Sequence, residues 1–472
     1  MRTSRIAAPV ALLLALAACS DQAGTDPMAP PPGNDNPQVL ELDAAPMAWR
    51  GGHRRADLVE AVETWNDNIA RFSLLAATNP PAESRIQAMA NTTMHDVMNA
   101  VQRRYEPYAY DGHVTRPLSV EAAIATGAYE VLASLGAELP APAALDFITQ
   151  AYHDYMAALD QCDEVTRGVQ LGHEAATAMV ALRANDGSAG PTAVMFTSTG
   201  EPGKFRSTVG TATALTGPRS IPQWGNIRPF VLASGSQFRA PPMYGAATVE
   251  AAVRTPQYLA DYDEVKRLGG IVSERTQEQT DIAYYWLGGD PHTWNDAARS
   301  LGAKRHLNAW RLARLVAHVS LARADAMISG YEAAYYYDFW RPITAIRLGN
   351  LDPATPGDPT WQVSTFSLGS NGPTPPFPSH SAVTLVAAAA GAQAILADLD
   401  GPTGFTWESP KLPGQPRSFR SVQEALRESA VARVYGGSFF RQATEAGMDQ
   451  GRQVGRYVAA HSLQRVHGHD DD

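Results

Sequence analysis

The amino-acid sequence predicts an all-α fold of two packed helical bundles with long irregular loops. Three observations predict it. Apolar residues recur at three- and four-residue steps in one stretch after another, beginning with Leu58, Val62, Trp65 and Ile69, the spacing of an amphipathic helix. The breaks between stretches are Pro80-Pro81, Pro140-Ala141-Pro142 and Asn185-Asp186-Gly187, which is turn chemistry. The 472 residues, 44% hydrophobic and 18% charged, supply a large core of the ordinary globular kind. A net charge of −10 with no basic block argues against nucleic acid as a partner. Two cysteines, Cys19 and Cys162, exclude a disulfide framework and a Cys-rich zinc site. Beyond the N-terminus no apolar run is long enough for a conventional membrane span.

In chain order, residues 1–18 read as a secretory signal, with Arg2 and Arg5 ahead of a short apolar run. The ending Leu16-Ala17-Ala18-Cys19 resembles the lipobox of bacterial lipoproteins. That resemblance implies a mature chain starting at a lipidated Cys19 in the bacterial cell envelope, touching the membrane through its lipid alone. Residues 19–56 carry Pro30-Pro31-Pro32-Gly33 among polar residues; such a stretch cannot bury a core and is expected as a flexible tether. Cys162 is then a lone thiol, expected to be buried.

Residues 57–247 form the first unit. Helices are expected from 57 through at least 69, and near 83–101, 120–135, 144–159 and 164–182, where the apolar period persists. His95-Asp96 falls inside the second of these and reads as a hydrogen-bonded core pair. From 186 to 247 Gly, Thr, Ser and Pro dominate and no period survives. The aromatics of Trp224-Gly225 and Phe230 mark this stretch as a folded loop lining a pocket rather than a disordered one.

Residues 248–463 form the second unit. A helix running in from His306 stops before Pro342, because proline lacks an N–H and pushes Arg341 out of the helical region. An arginine set among aromatics at a helix end suits an oxyanion, since its fork offers parallel donors. A second irregular loop spans 349–376. Ser379 reads as the N-cap of an Ala-rich buried helix, with His380 in its first turn beside free backbone donors. Ser421 and Glu424 form a capping box, and the helix they open ends at Arg433 and Gly436-Gly437. The last helix covers 441–463, and residues 464–472, with His467 and His469, are expected as a disordered tail.

Trp340-Arg341-Pro342, Pro378-Ser379-His380 and Arg433 with its Gly-Gly, in that order on a helical framework, resemble the vanadium-dependent haloperoxidase and type 2 phosphatidic acid phosphatase superfamily. Trp65-Asn66, the run from Arg104 to Tyr108, the Trp224-Gly225 loop and the run from Gly451 to Gly455 extend the resemblance to bacterial haloperoxidase-like proteins. It implies a pocket for a small oxyanion, vanadate or phosphate, held by Arg341, Ser379 and Arg433, with His380 as acid/base. The superfamily's Lys falls on Ala334, its metal-ligating or nucleophilic His on Phe439, and the following Asp on Ala443. The Gly between Ser and His is absent. Phenylalanine has no lone pair for vanadium and no nucleophile for phosphorus, so no metal ligand remains at that position. Lys204, Arg206, Lys304 and Arg441 are candidates to replace the lost charge. Three readings stay open: an impaired or inactive member keeping part of the pocket, an active haloperoxidase or acid phosphatase using compensating residues, and a non-catalytic envelope scaffold. Arg341, Ser379, His380 and Arg433 are expected to converge, with the 186–247 loop near the mouth and with Ala334 and Phe439 facing the same pocket.

The lipobox gives the first testable prediction. Cys19→Ala should release the protein from membranes into the soluble fraction, and an unmodified mature N-terminus at another residue would rule out the lipoprotein.

Overall fold

In a computed structural model the chain is described at residues 58–76, 78–286, 290–349, 354–364, 378–409 and 411–466. The signal segment 1–18, Cys19, the tether, most of the 349–376 loop, His467 and His469 lie outside the described residues.

The first group of helices is α1 (Leu58–Leu75), α2 (Pro80–Val101), α3 (Val120–Glu138), α4 (Pro142–Ala157) and α5 (Asp163–Arg183). Local chemistry sets their starts. Asn79 and Ser119 accept the Ala82 and Ala122 amides as N-caps, and prolines open α2 and α4, where a missing N–H costs nothing. Residues 186–247 are folded, as expected of their aromatics, around the antiparallel hairpin β1 (Ala193–Thr197) and β2 (Thr216–Ser220). The second group follows as α6 (Val249–Ala252), α7 (Pro256–Leu268), α8 (Gln277–Tyr285), α9 (Asp290–Lys304), α10 (Ala309–Tyr337), α11 (Pro342–Leu348) and α12 (Val383–Asp398). A small hairpin, β3 (Phe405–Trp407) and β4 (Arg417–Phe419), precedes α13 (Val422–Tyr435) and α14 (Arg441–His461).

The 29-residue α10 is the axle. It is buried on every side from Leu315 to Tyr331, so its polar members His318, Arg323 and Asp325 lie inside the protein with the apolar ones. It packs on α2 of the first group and on α12 and α14 of the second, so the two groups share one core. The long loop is fastened to it by Asp325, whose buried carboxylate accepts the amides of Phe230, Val231 and Leu232 at 2.6–2.8 Å. Burial pushes that carboxyl up to about 6 against those three donors. A second fastening comes from Arg183, which pairs with Asp186, donates to the Arg228 and Pro229 carbonyls, and stacks on Phe230.

Two helix pairs approach backbone to backbone. On α14, Gly447, Gly451 and Gly455 face Ala382, Val386 and Ala390 of the α12 segment; a Cβ at Gly447 would lie 2.9 Å from the Ala382 carbonyl oxygen, and one at Gly455 would lie 2.5 Å from that of Ala390. Gly172 on α5 meets the Ala123 carbonyl of α3 in the same manner. The four-residue spacing puts the glycines on one face, and alanines opposite them complete the close packing.

Three sequence expectations are corrected. Cys162 is exposed, because it occupies the N-cap position of α5 and not a core face. Residues 464–466 are tied down: Glu106 donates to Gln464, Val466 donates to Arg104, and Tyr105 bridges Arg465. The Ser421 side chain does cap α13, but Glu424 reaches back to the Arg420 amide and not to that of Ser421. His95-Asp96 is a buried hydrogen-bonded pair, as expected, and Asp96 also accepts the amides of Tyr108, Ala109 and Tyr110.

The glycine face predicts a large single-atom effect. Gly451→Ala places a methyl group on the Val386 carbonyl oxygen and should cost about 2–3 kcal/mol in denaturant unfolding; a loss below about 0.5 kcal/mol would mean the helices part without penalty.

Candidate oxyanion site

The site is built on the short link between α10 and α11. α10 ends at Tyr337, and Asp338 caps it in the left-handed region at φ 55°. The chain then runs extended to Arg341, the residue before Pro342 at the start of α11, as the proline predicts. The link is held on both sides. Phe205 donates to the Asp338 carbonyl at 2.9 Å and Trp340 to that of Gly203 at 2.8 Å, while Ser379 donates its amide to Phe339 at 2.8 Å. The 186–247 loop therefore reaches the site through residues 203–205.

Arg341 is fully buried. Its Nη1 donates to the Ser438 carbonyl at 3.1 Å, and its guanidinium carbon lies 4.2 Å from the centre of the Phe439 ring. Burial pulls its pKa down to about 9, with Tyr331 and Tyr335 opposing. Ser379 is also fully buried, and its Oγ has no hydrogen-bond partner among the described residues, an expensive state for a hydroxyl. Ala334 and Ala443 are buried too.

Ser379 is not a helix cap. α12 begins at Val383 with Ala382 as its N-cap, because Ala382 donates its amide to Ala443 of α14 and His380 and Ser381 before it form a bend. His380 consequently lies outside any first turn. Its Nε2 meets the Pro241 carbonyl at 2.9 Å, its Nδ1 lies 3.2 Å from Ser381 Oγ, and its ring stacks on Tyr337 at 3.8 Å. Burial lowers its pKa to about 4, with Arg239 adding to the effect and the Pro241 contact opposing it. Arg433, in the last turn of α13, directs Nη1 to the Trp286 carbonyl at 2.9 Å, and its own carbonyl accepts the Ser438 amide. The structure thus gathers Arg341, Ser438, Phe439 and, through Phe339, Ser379. It connects Arg433 to them by backbone, and it gives His380 to the 236–243 strap and α14.

The candidate replacement cations are mostly committed elsewhere. Arg206 donates to Thr213 and Gly200, Lys304 to Gly404, and Arg441 forms a two-pronged pair with Glu264. Lys204 bridges Phe339 by backbone, and its charge, with that of Arg219, opposes the burial that raises Asp338 to about 6. Sequence reading missed Arg275. Its guanidinium donates to the carbonyls of Gly270 at 3.0 Å and Tyr435 at 2.8 Å, and to Ser364 Oγ at 3.0 Å, clamping the turn that delivers Ser438. Carbonyl acceptors carry no residue signature, so nothing in the sequence could have marked it.

Comparison with known proteins follows from this geometry. The family described as "VCPO second helical-bundle domain" matches residues 314–468, from α10 to the end of α14. Over those residues, about a third of the chain, the sequence matches a vanadium haloperoxidase-type helical bundle. A curated relative, the vanadium chloroperoxidase of Curvularia inaequalis, is 27% identical over 190 residues, and the match covers 30% of each protein. Two solved structures share the superfamily's helical-bundle fold. A bacterial vanadium-dependent iodoperoxidase superposes with a TM-score of 0.67 at 21% identity over 86% of this chain and 97% of that one. An apo-type bacterial vanadium-dependent chloroperoxidase gives 0.62 at 14% identity, covering 80% and 92%.

The superfamily implies vanadate, and the residues present fit it only in part. Arg341 and the unsatisfied Ser379 hydroxyl suit an oxyanion held by hydrogen bonds. A vanadium ligand is not offered at Phe439, whose hydrocarbon ring lies against the Arg341 guanidinium.

His380 gives a pH prediction. Its folded value, about 4, lies below the ordinary 6.5, so the unfolded chain binds the extra proton between them. The contribution to stability is complete above pH 6.5 and is lost as pH falls towards 4, by about 3 kcal/mol at most. His380→Gln, which keeps an amide donor for Pro241, should flatten the acid limb of stability measured from pH 7 to 4; an unchanged slope would assign that limb to other groups.

Proposed function

We propose that this chain is an oxyanion-binding member of the superfamily, tethered to the envelope through Cys19, in which vanadium-dependent oxidation and phosphatase turnover are lost or severely impaired. The observation that carries the reading is the Arg341–Phe439 contact, with the unsatisfied hydroxyl of Ser379 on a residue whose amide bonds to Phe339, two positions before Arg341. Arg341 and Ser379 supply donors to a tetrahedral anion, and Arg433 supplies further positive charge nearby in the chain. With Ala334 in place of a lysine, one charge-assisted contact is missing. That costs about 1.5–3 kcal/mol, a roughly ten- to hundredfold loss in affinity.

Turnover requires more than affinity. Halide oxidation on vanadate needs a nitrogen ligand, and phosphoryl transfer through the same position needs a nucleophile. Phe439 provides neither. His380 has both ring nitrogens engaged with Pro241 and Ser381, which supports a structural role for it over acid/base work on a bound anion.

The test is vanadium retention and activity in the purified full-length chain. After equilibration with orthovanadate and dialysis, the protein should retain no stoichiometric vanadium. Bromide and iodide oxidation with peroxide, and phosphomonoester turnover, should stay at the level of an Arg341→Ala control, while calorimetry should detect phosphate or vanadate binding that the same variant loses. Vanadium-dependent halide oxidation well above that control would overturn the proposal.

A further inference from the structure

Counting protons around His380 exposes a defect in the buried chain that holds it. Pro241 offers only a carbonyl, so Nε2 at 2.9 Å must carry a hydrogen to bond with it. On the other side Nδ1 lies 3.2 Å from Ser381 Oγ. That hydroxyl has one proton and lies 2.9 Å from Gln450 Oε1. The Gln450 amide cannot turn over to help. Its Nε2 donates to the Ser329 carbonyl at 3.0 Å and meets Ser329 Oγ at 2.9 Å, and a flip would set two oxygens against each other.

A neutral imidazole therefore leaves one contact wrong in every arrangement. If Ser381 donates to Gln450, the Nδ1 lone pair faces the Ser381 oxygen. If Ser381 donates to Nδ1, Gln450 Oε1 has no donor. With the hydrogen moved to Nδ1, two acceptors meet at Pro241. An imidazolium satisfies all of them at once, since both nitrogens then donate and Ser381 keeps its proton for Gln450.

We infer that His380 is a proton-operated latch: it takes up a proton at Nδ1 without releasing the strap at Pro241, and Ser381 and Gln450 set the pH at which it does so. The charged groups around the ring are few. From the strap, Arg239 opposes the proton, but Glu332 of α10 pairs with that arginine. Tyr337 of α10 presents its face to the ring at 3.8 Å, a favourable partner for a cation, and α14 contributes the uncharged Gln450. Burial works against uptake and places it in acid. The strap is also held independently, by Tyr337 Oη on the Ala240 carbonyl and by the Arg239–Glu332 pair, so protonation can occur inside a closed structure.

The inference goes beyond oxyanion binding and is read without it. In nitrogen-15 histidine spectra of the whole protein, with His380 assigned by its loss in His380→Gln, the neutral form should be the Nε2–H tautomer. Gln450→Met frees the Ser381 proton for Nδ1, and Ser381→Ala removes the acceptor the imidazolium needs. Each should lower the His380 midpoint by about one pH unit, the worth of one hydrogen bond. A midpoint unmoved in both variants overturns the latch. So does new proteolytic cleavage within 236–243 that appears in step with the titration, because the strap would then be released. The proton also adds charge one residue from Ser379, so on the oxyanion reading phosphate should bind more tightly below the midpoint than above it. Absence of phosphate binding at any pH counts against that reading alone, while the spectra decide the latch.

Discussion

Much of the second bundle depends on how closely α14 lies against α12. Glycine at 447, 451 and 455 removes the side chains from one face of α14, and the carbonyl oxygens of Ala382, Val386 and Ala390 occupy the space. Backbones in such contact cannot slide without collision. The starts of both helices are fixed as a result, and those starts carry the site: Ser379 to Ser381 ahead of α12, Ser438 to Phe440 ahead of α14. The bond from the Ala382 amide to Ala443 and the reach of Gln450 to Ser381 follow from the same apposition.

Burying a guanidinium is costly unless its donors and charge find compensation. For Arg341 part of the compensation comes from a carbonyl, an aromatic face and two tyrosines. Arg275 shows another use of the same side chain. Its donors end on carbonyls of separate segments, so it behaves as a knot in the chain, bringing the Gly436-Gly437 turn against Gly269 where φ at Gly437 is +79°.

The long loop illustrates how a segment without period can still be ordered. Residues 186–247 bury apolar anchors such as Phe205, Trp224 and Phe230, and Asp325, Arg183 and the 203–205 pairing with the α10–α11 link each satisfy several backbone groups at once. Buried charge on a rigid helix here substitutes for regular secondary structure.

Sequence alone determined the helical framework, because apolar period and breaker residues act locally: the bounds of α5, the end of α2 and the break before Pro342 follow from neighbours in the chain. What only the tertiary structure decided is where polar side chains point. Ser379 looked like a cap until α14 claimed the Ala382 amide, and His380, expected in the first turn of that helix, instead lies ahead of it against the Pro241 carbonyl. Arg275 and Gln450 had no visible purpose, and Cys162 was expected inside. Most of the partners are backbone carbonyls or amides, or open solvent, with a few serine hydroxyls, and those on the protein lie many residues away. Backbone groups and solvent are the same for every residue type, so they leave no mark in the sequence and are set by packing alone.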